Sequence, residues 1–133
     1  MRYLLDTDTL SALLKPRPNL VLGRRLAAEE PASVFTSAIS AGELVYGAER
    51  AGRPRLIEKV ATVLDALPVV SFDVAAAHRY GRLRAALEAQ GTRLAEPDLR
   101  IASIAMAYEM VVVTGNLRHF SRVPGLAVED WLA

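Results

Sequence analysis

The stretch Arg2-Tyr3-Leu4-Leu5-Asp6-Thr7-Asp8 decides the fold. Tyr3, Leu4 and Leu5 form a continuous apolar run without polar alternates, the pattern of a parallel strand buried on both faces. Carboxylates end the run abruptly, so Asp6 sits at the strand's carboxyl end. In an open α/β sheet that edge carries the ligand crevice. A lone aspartate there reads most simply as the cap of the next helix. Two carboxylates around one threonine ask for more, and the question becomes which other polar groups reach the same edge.

Working outward, Thr9 to Leu14 reads as a short helix stopped by Lys15-Pro16-Arg17-Pro18, because proline cannot continue a helix and constrains the residue before it. Asn19 caps a second helix running to about Glu30. Ser33 to Thr36 is a second short strand, and Ser37 to Ala51 a third helix ending near Gly52. Its Ala41, Leu44, Val45 and Ala48 recur at helical spacing and are expected to face the sheet. Leu56 to Leu67 reads as a fourth helix with Ile57, Val60, Val63 and Leu64 inward. Pro68 to Phe72 is strand-like, and Asp73 caps a fifth helix carrying Ala76, Tyr80, Leu83 and Leu87 on one face. Pro97 opens a sixth helix at a position proline favours, extending to about Met110. Val111 to Thr114 is a third apolar run, ending in Gly115-Asn116. The tail through Leu126-Ala127-Val128 to Trp131 supplies an edge strand and an anchor. Strands alternating with longer helices predict an α/β domain of three layers, a mainly parallel central sheet covered by helices on both faces.

The 133 residues suit a single domain spanning 1–133. No run approaches the ~20 apolar residues of a membrane span, and the start lacks the basic-then-apolar layout of a signal peptide, so a cytoplasmic protein without a membrane partner is expected. With no cysteine, thiolate metal sites and disulfides are excluded, which leaves carboxylates, amides and two histidines as ligands. The net charge of +1 gives no global basic field, and the basic residues are nearly all arginine, with Lys15 and Lys59 the exceptions.

Topology brings further polar groups to the Asp6 edge. Asn116 follows the third apolar run and therefore lies at that strand's carboxyl end. A helix that precedes a parallel strand begins at the edge where strands end, which places Asp98 there too. Glu43 lies about one and a half turns into its helix, roughly 8 Å from the start. Helical side chains lean toward the N-terminus, so a long glutamate can reach back to this edge; its register equally suits a solvent-facing residue. Asp98 heads a stripe continued by Ile101, Ala102 and Ala105. A carboxylate there is either a helix-dipole partner, worth about 0.3–1 kcal/mol, or a group that requires a cation. Converging carboxylates repel unless something positive lies between them. All-oxygen ligands indicate Mg2+ or Mn2+ rather than zinc.

At these residues the sequence resembles the PIN-domain family, specifically its VapC-type toxin ribonucleases. The resemblance is carried by Leu4-Leu5-Asp6-Thr7, by Ile39 to Ala48 with Gly42-Glu43-Leu44, by Pro97-Asp98-Leu99-Arg100-Ile101-Ala102, and by Val113-Thr114-Gly115-Asn116 with Arg118-His119-Phe120. The ending Val123-Pro124-Gly125-Leu126 and Glu129-Asp130-Trp131-Leu132 is also similar. Joint order and spacing make the match specific. It implies a PIN-like fold and a Mg2+-dependent endoribonuclease toxin, with Mn2+ able to substitute, that cuts single-stranded or loop RNA and inhibits translation. By resemblance Asp6, Glu43 and Asp98 occupy the acidic catalytic positions and Asn116 the fourth, where aspartate is common. Asp6 and Asp98 are the expected metal ligands, joined in one reading by Glu43 and Asn116. Thr114 matches a hydroxyl position beside the site, and Arg100 and Arg118 are candidates for substrate contact. The partners implied are the RNA substrate, a small antitoxin whose C-terminal segment fills the acidic groove, and a second copy of the chain in a homodimer. The neutral amide of Asn116 leaves open a catalytically weakened RNA- or partner-binding module, and Asp8 stands where the toxins often have asparagine.

Arg79, Arg82 and Arg84 cluster on the fifth helix with Arg93 beyond, which suggests an RNA path joined by Arg100, Arg118 and the aromatics Tyr46, Tyr80 and Phe120. Scattered arginines are more often solvated surface. A phospho-acceptor receiver domain, also α/β with acidic strand ends, is disfavoured because no lysine follows Lys59.

Overall fold

A computed structural model describes residues 1–133. In chain order the elements are β1 (Tyr3–Leu5), α1 (Thr7–Ala12), α2 (Leu20–Ala28), a 3-10 turn (Pro31–Ser33), β2 (Val34–Ser37), α3 (Ala38–Ala51) and α4 (Pro54–Ala66). There follow β3 (Val69–Val70), α5 (Val74–Ala89), α6 (Glu96–Ala107), β4 (Val111–Val113), α7 (Leu117–Phe120) and β5 (Val128–Glu129). The strands form one sheet in the order β3-β2-β1-β4-β5, and every pairing is parallel.

β1 lies in the middle, with Leu4 opposite Phe35 of β2 on one side and Val112 of β4 on the other. The chain steps outward from β1 through β2 to β3, then crosses back to β4 and β5. Right-handed crossovers require helices laid down in the two directions to cover opposite faces. Tyr3, Leu5, Val111 and Val113 accordingly pack with Leu10, Leu22, Leu44 and Val60 from α1 to α4. Leu4 and Val112 pack on the other face with Leu83, Leu87, Leu99, Ile104 and Phe120 from α5 to α7. Leu4, Leu5, Val112 and Val113 are wholly inaccessible, each worth about 1.5–3 kcal/mol of burial. That burial holds together strands only three residues long.

Several boundaries differ from expectation for local reasons. α1 begins at Thr7 rather than Thr9, because the Asp6 side chain caps it by accepting from the Thr9 N–H at 3.2 Å. On α3 the buried stripe is Ser40, Leu44 and Ala48, while Val45 is 44% exposed. Ser37 fixes that phase by accepting from the Ser40 N–H at 3.0 Å. α6 is buried from Ile101 through Ala105, so it is a central helix rather than one with a single apolar stripe. The expected strand after Pro68 shortens to two residues at the sheet edge. The short helix α7 had no counterpart in the sequence reading.

The tail anchors as expected. Trp131 is 1% exposed, its ring centroid lies 4.9 Å from that of Tyr3, and its indole N–H donates to Glu129 at 2.9 Å. Gly52 ends α3 with φ 62°, a left-handed conformation that glycine adopts without strain.

Candidate active site

The sheet order reverses between β1 and β4, and at such a switch point the diverging connections leave a crevice beyond the strands' carboxyl ends. Asp6 stands at its floor, 5% exposed. Its backbone N–H donates to the Val113 carbonyl at 3.0 Å, extending the β1–β4 ladder by one residue. The Thr9 hydroxyl donates to the same carbonyl at 3.1 Å, and the Thr36 hydroxyl to the Leu5 carbonyl at 2.8 Å. These buried hydroxyls fasten the strand ends that carry the site.

Asp6, Asp8, Glu43, Asp98 and Asn116 line one pocket of about 420 Å³ together with Thr7, Ser11 and Lys15. The two readings of Glu43 are resolved toward the strand edge: its Oε1 accepts from the Thr7 hydroxyl at 2.6 Å, although the residue stays exposed. Asp98, in the first turn of α6, has a side chain 22% exposed, and His119 Nδ1 lies 3.7 Å from its Oδ2. Asn116 starts α7, and its backbone N–H donates to the Thr114 hydroxyl at 2.8 Å. Asp8 accepts from the Gly115 N–H at 3.2 Å, tying the α1 start to the β4 end.

Three candidates for substrate contact are placed differently. Thr114 is fully buried, and its hydroxyl serves Asn116 and favours the ionised form of Asp6, so it supports the site from beneath rather than touching substrate. Arg100 pairs with Glu96 at 3.3 Å and lies over the Phe72 ring at 5.9 Å. Neither Arg100 nor Arg118 lines the acidic pocket. The sequence does not single out Thr7 and Lys15 as pocket residues, nor the approach of His119 to Asp98, which lies more than a helix away in sequence. A hydroxyl following the strand-end carboxylate was the one available hint for Thr7.

Burial pushes the Asp6 carboxyl up to about 8; the neighbouring Asp8 adds to this and the Thr114 hydroxyl opposes it. Asp98 is also raised, first by burial, with His119 opposing and Glu43 and Asp8 adding. Of the pocket's lining residues only Lys15 is cationic. Such a donor set fits a hard divalent cation. No three carboxylate or imidazole groups close on one ion-sized point.

Gly115 tests whether Asp8 belongs to this set. A Cβ added there would lie 2.9 Å from Asp8 Oδ2 and 3.1 Å from Leu132 Cδ1, both the ends of side chains that can give way. Gly115→Ala is therefore expected to keep the fold, with stability changed by about 1 kcal/mol or less. The Asp8 carboxylate should be displaced and Mn2+ affinity lowered in titration calorimetry. Unchanged affinity would place Asp8 outside the metal's surroundings.

Comparison with known proteins agrees with this geometry. The PIN domain family matches residues 3–126. The tRNA(fMet)-specific endonuclease VapC of Salmonella typhimurium is 36% identical over 132 residues, 98% of each chain. Ribonuclease VapC2 of Haemophilus influenzae is 32% identical over 133 residues, 99% of each chain. Among solved structures, DNA-bound VapBC from Salmonella typhimurium superposes with a TM-score of 0.90 at 36% identity, covering 98% of each chain.

Proposed function

The chain belongs to the PIN domain family, in its VapC ribonuclease branch, and we propose that it is the divalent-metal-dependent endoribonuclease of a toxin–antitoxin pair. The observation that carries this is the meeting of Asp6, Glu43, Asp98 and Asn116, from four separate elements, in one pocket at the sheet's switch point. VapC relatives are named as ribonucleases and are solved as VapBC complexes, which supports RNA and a small antitoxin as the partners of this reading; a second copy of the chain is part of the proposal alone.

Asp6 and Asp98 would hold the ion, Mg2+ or Mn2+. When bound, it supplies a water of lowered pKa and offsets the charge that develops on the phosphodiester. The remaining steps belong to the protein. Glu43, kept in place by the Thr7 hydroxyl, accepts the proton of the attacking water. Asn116 brings both an amide donor and an acceptor to the pocket and orients that water without adding charge, which favours one ion over two. The Thr114 hydroxyl favours the carboxylate form of Asp6, opposing in part the burial that raises its pKa. Inhibition of translation follows if the RNA cut is part of the translation machinery, as the name of the Salmonella relative states for that protein.

Purified protein is expected to cleave a single-stranded RNA when Mg2+ or Mn2+ is added and to stop when EDTA exceeds the metal. Full-rate cleavage in excess EDTA would sink the metal assignment, and failure to cleave under any divalent ion would sink the nuclease reading.

A further inference from the structure

The acidic pocket poses a problem for its own substrate, since four carboxylates line it and RNA is a polyanion. The structure places a compensating field beside it. Ser11 and Lys15 also line a second groove, of about 550 Å³, between α1 and the start of α4. Arg53, Arg55 and Lys59 complete the cationic lining of that groove, and no carboxylate lines it. Both of the chain's lysines are therefore here.

None of these four cations makes an ion pair. Glu58 lines the neighbouring stretch with Arg55 and Lys59 without pairing with either. The N-terminus of the 13-residue helix α4 adds its positive end at the same place; Arg53 is its cap position and supplies no side-chain cap bond. Gathered like charges without partners repel one another, and a run of phosphates relieves that repulsion. Of the arginines of α5 and α6 that the sequence put forward, Arg79 and Arg82 make no ion pair but line neither of these two grooves, whereas Arg84 and Arg100 are neutralised. Arg84 pairs with Glu88 at 3.1 Å and Glu96 at 3.5 Å, and Arg100 with Glu96 at 3.3 Å.

We propose that the groove lined by Lys15, Arg53, Arg55 and Lys59 carries the RNA backbone away from the acidic pocket, Lys15 holding the phosphate at the junction. The proposal rests on the ribonuclease reading above. It assigns the run of phosphates to the α1–α4 side of the pocket and not to α5.

The test measures binding of a fluorescein-labelled 12-nucleotide single-stranded uridine RNA in EDTA, by anisotropy, across a salt series. The variant is Arg53→Gln/Arg55→Gln/Lys59→Gln; Lys15 stays because it also lines the pocket. Each lost single-strand phosphate contact lowers the slope of log affinity against log salt by about 0.7, so the triple variant should be shallower by about 2 and weaker roughly tenfold or more at low salt. Its melting temperature should not fall, since the groove cations have no protein partner to lose. Lys59→Gln alone should lower the slope by about 0.7 and serves if the triple variant does not fold. Arg79→Gln/Arg82→Gln on α5 should bind as the wild type does. Unchanged affinity and slope in the groove variants overturns the proposal and leaves the groove to a protein partner. An equal loss per charge in the α5 variant also overturns it, by reducing the effect to net charge. A wild type that neither binds this RNA nor cleaves any RNA with Mg2+ overturns the ribonuclease reading itself.

Discussion

Asp6→Asn is expected to abolish RNA cleavage and, in the absence of metal, to make the protein more stable near pH 8. Both effects come from one buried charge. The wild-type carboxyl, 5% exposed, is raised to about 8 by burial and then by Asp8, from an ordinary value of 3.8. Between those values the folded protein keeps a proton that the unfolded chain releases. The Asp6 contribution to stability is therefore intact below about pH 4 and is lost as pH rises toward 8, at a limiting slope of ~1.4 kcal/mol per pH unit. Asparagine removes this titration and retains an Oδ1 that can accept from the Thr9 N–H, so the α1 cap survives. Thermal unfolding in EDTA at pH 5 and pH 8 should show the wild type losing stability between the two and the variant not. Cleavage should drop by more than the roughly 10–100-fold that losing an outer-shell partner costs a metal site. A variant as pH-dependent as the wild type would mean that some other group titrates.

Asp98→Asn should lose cleavage by a similar factor with little change in stability in either direction. The side chain sits in the first turn of α6, where a charge gains about 0.3–1 kcal/mol from the helix end. Against that stand the burial and the repulsion from Glu43 and Asp8 that raise its pKa. The two contributions oppose each other, whereas the loss of a metal-binding carboxylate is uncompensated. Mn2+ titration should show weakened binding, and a melting temperature within a few degrees of the wild type would show the fold intact. Undiminished cleavage would reduce Asp98 to a helix-start residue, and an unfolded variant would make its role structural.

The two variants separate what Asp6 and Asp98 have in common from what their positions add. Asp6 is held by strand β1 at the floor of the crevice, so charge there is costly to the fold. Asp98 is partly solvated and near His119, so charge there is nearly neutral to it. Near pH 8 and above, where the Asp6 proton is lost, a bound cation should stabilise such a site, which couples its stability to its ligand.

The sequence by itself determined the layers and the acidic edge. The run Tyr3-Leu4-Leu5 lacks polar alternates, and only a strand covered on both faces tolerates that. Pro97, Asn19 and Asp73 marked helix starts because their preferences are local: a missing N–H, a side-chain acceptor, a fixed φ. Asp6, Asp98 and Asn116 could be assigned to one edge from chain direction alone, since parallel strands and their preceding helices have fixed polarity. The tertiary structure decided whatever depended on phase or on distant partners. The α3 stripe turned from Val45 to Ser40 because a buried serine pair outweighed apolar spacing, which composition does not reveal. Glu43 reached the pocket through a bond to Thr7, 36 residues away, and Thr114 went beneath it because a β4 end residue is wholly covered. The cations were separated only partly in this way, because Arg84–Glu88 and Arg100–Glu96 are pairs four residues apart within one helix. Glu88 and Glu96 took Arg84 and Arg100, while the packing of α1 beside α4 left Lys15, Arg53, Arg55 and Lys59 together and unpaired. Ion pairs four residues apart on one helix are written in the sequence, but which cations from separate elements are gathered side by side is fixed only when the helices dock.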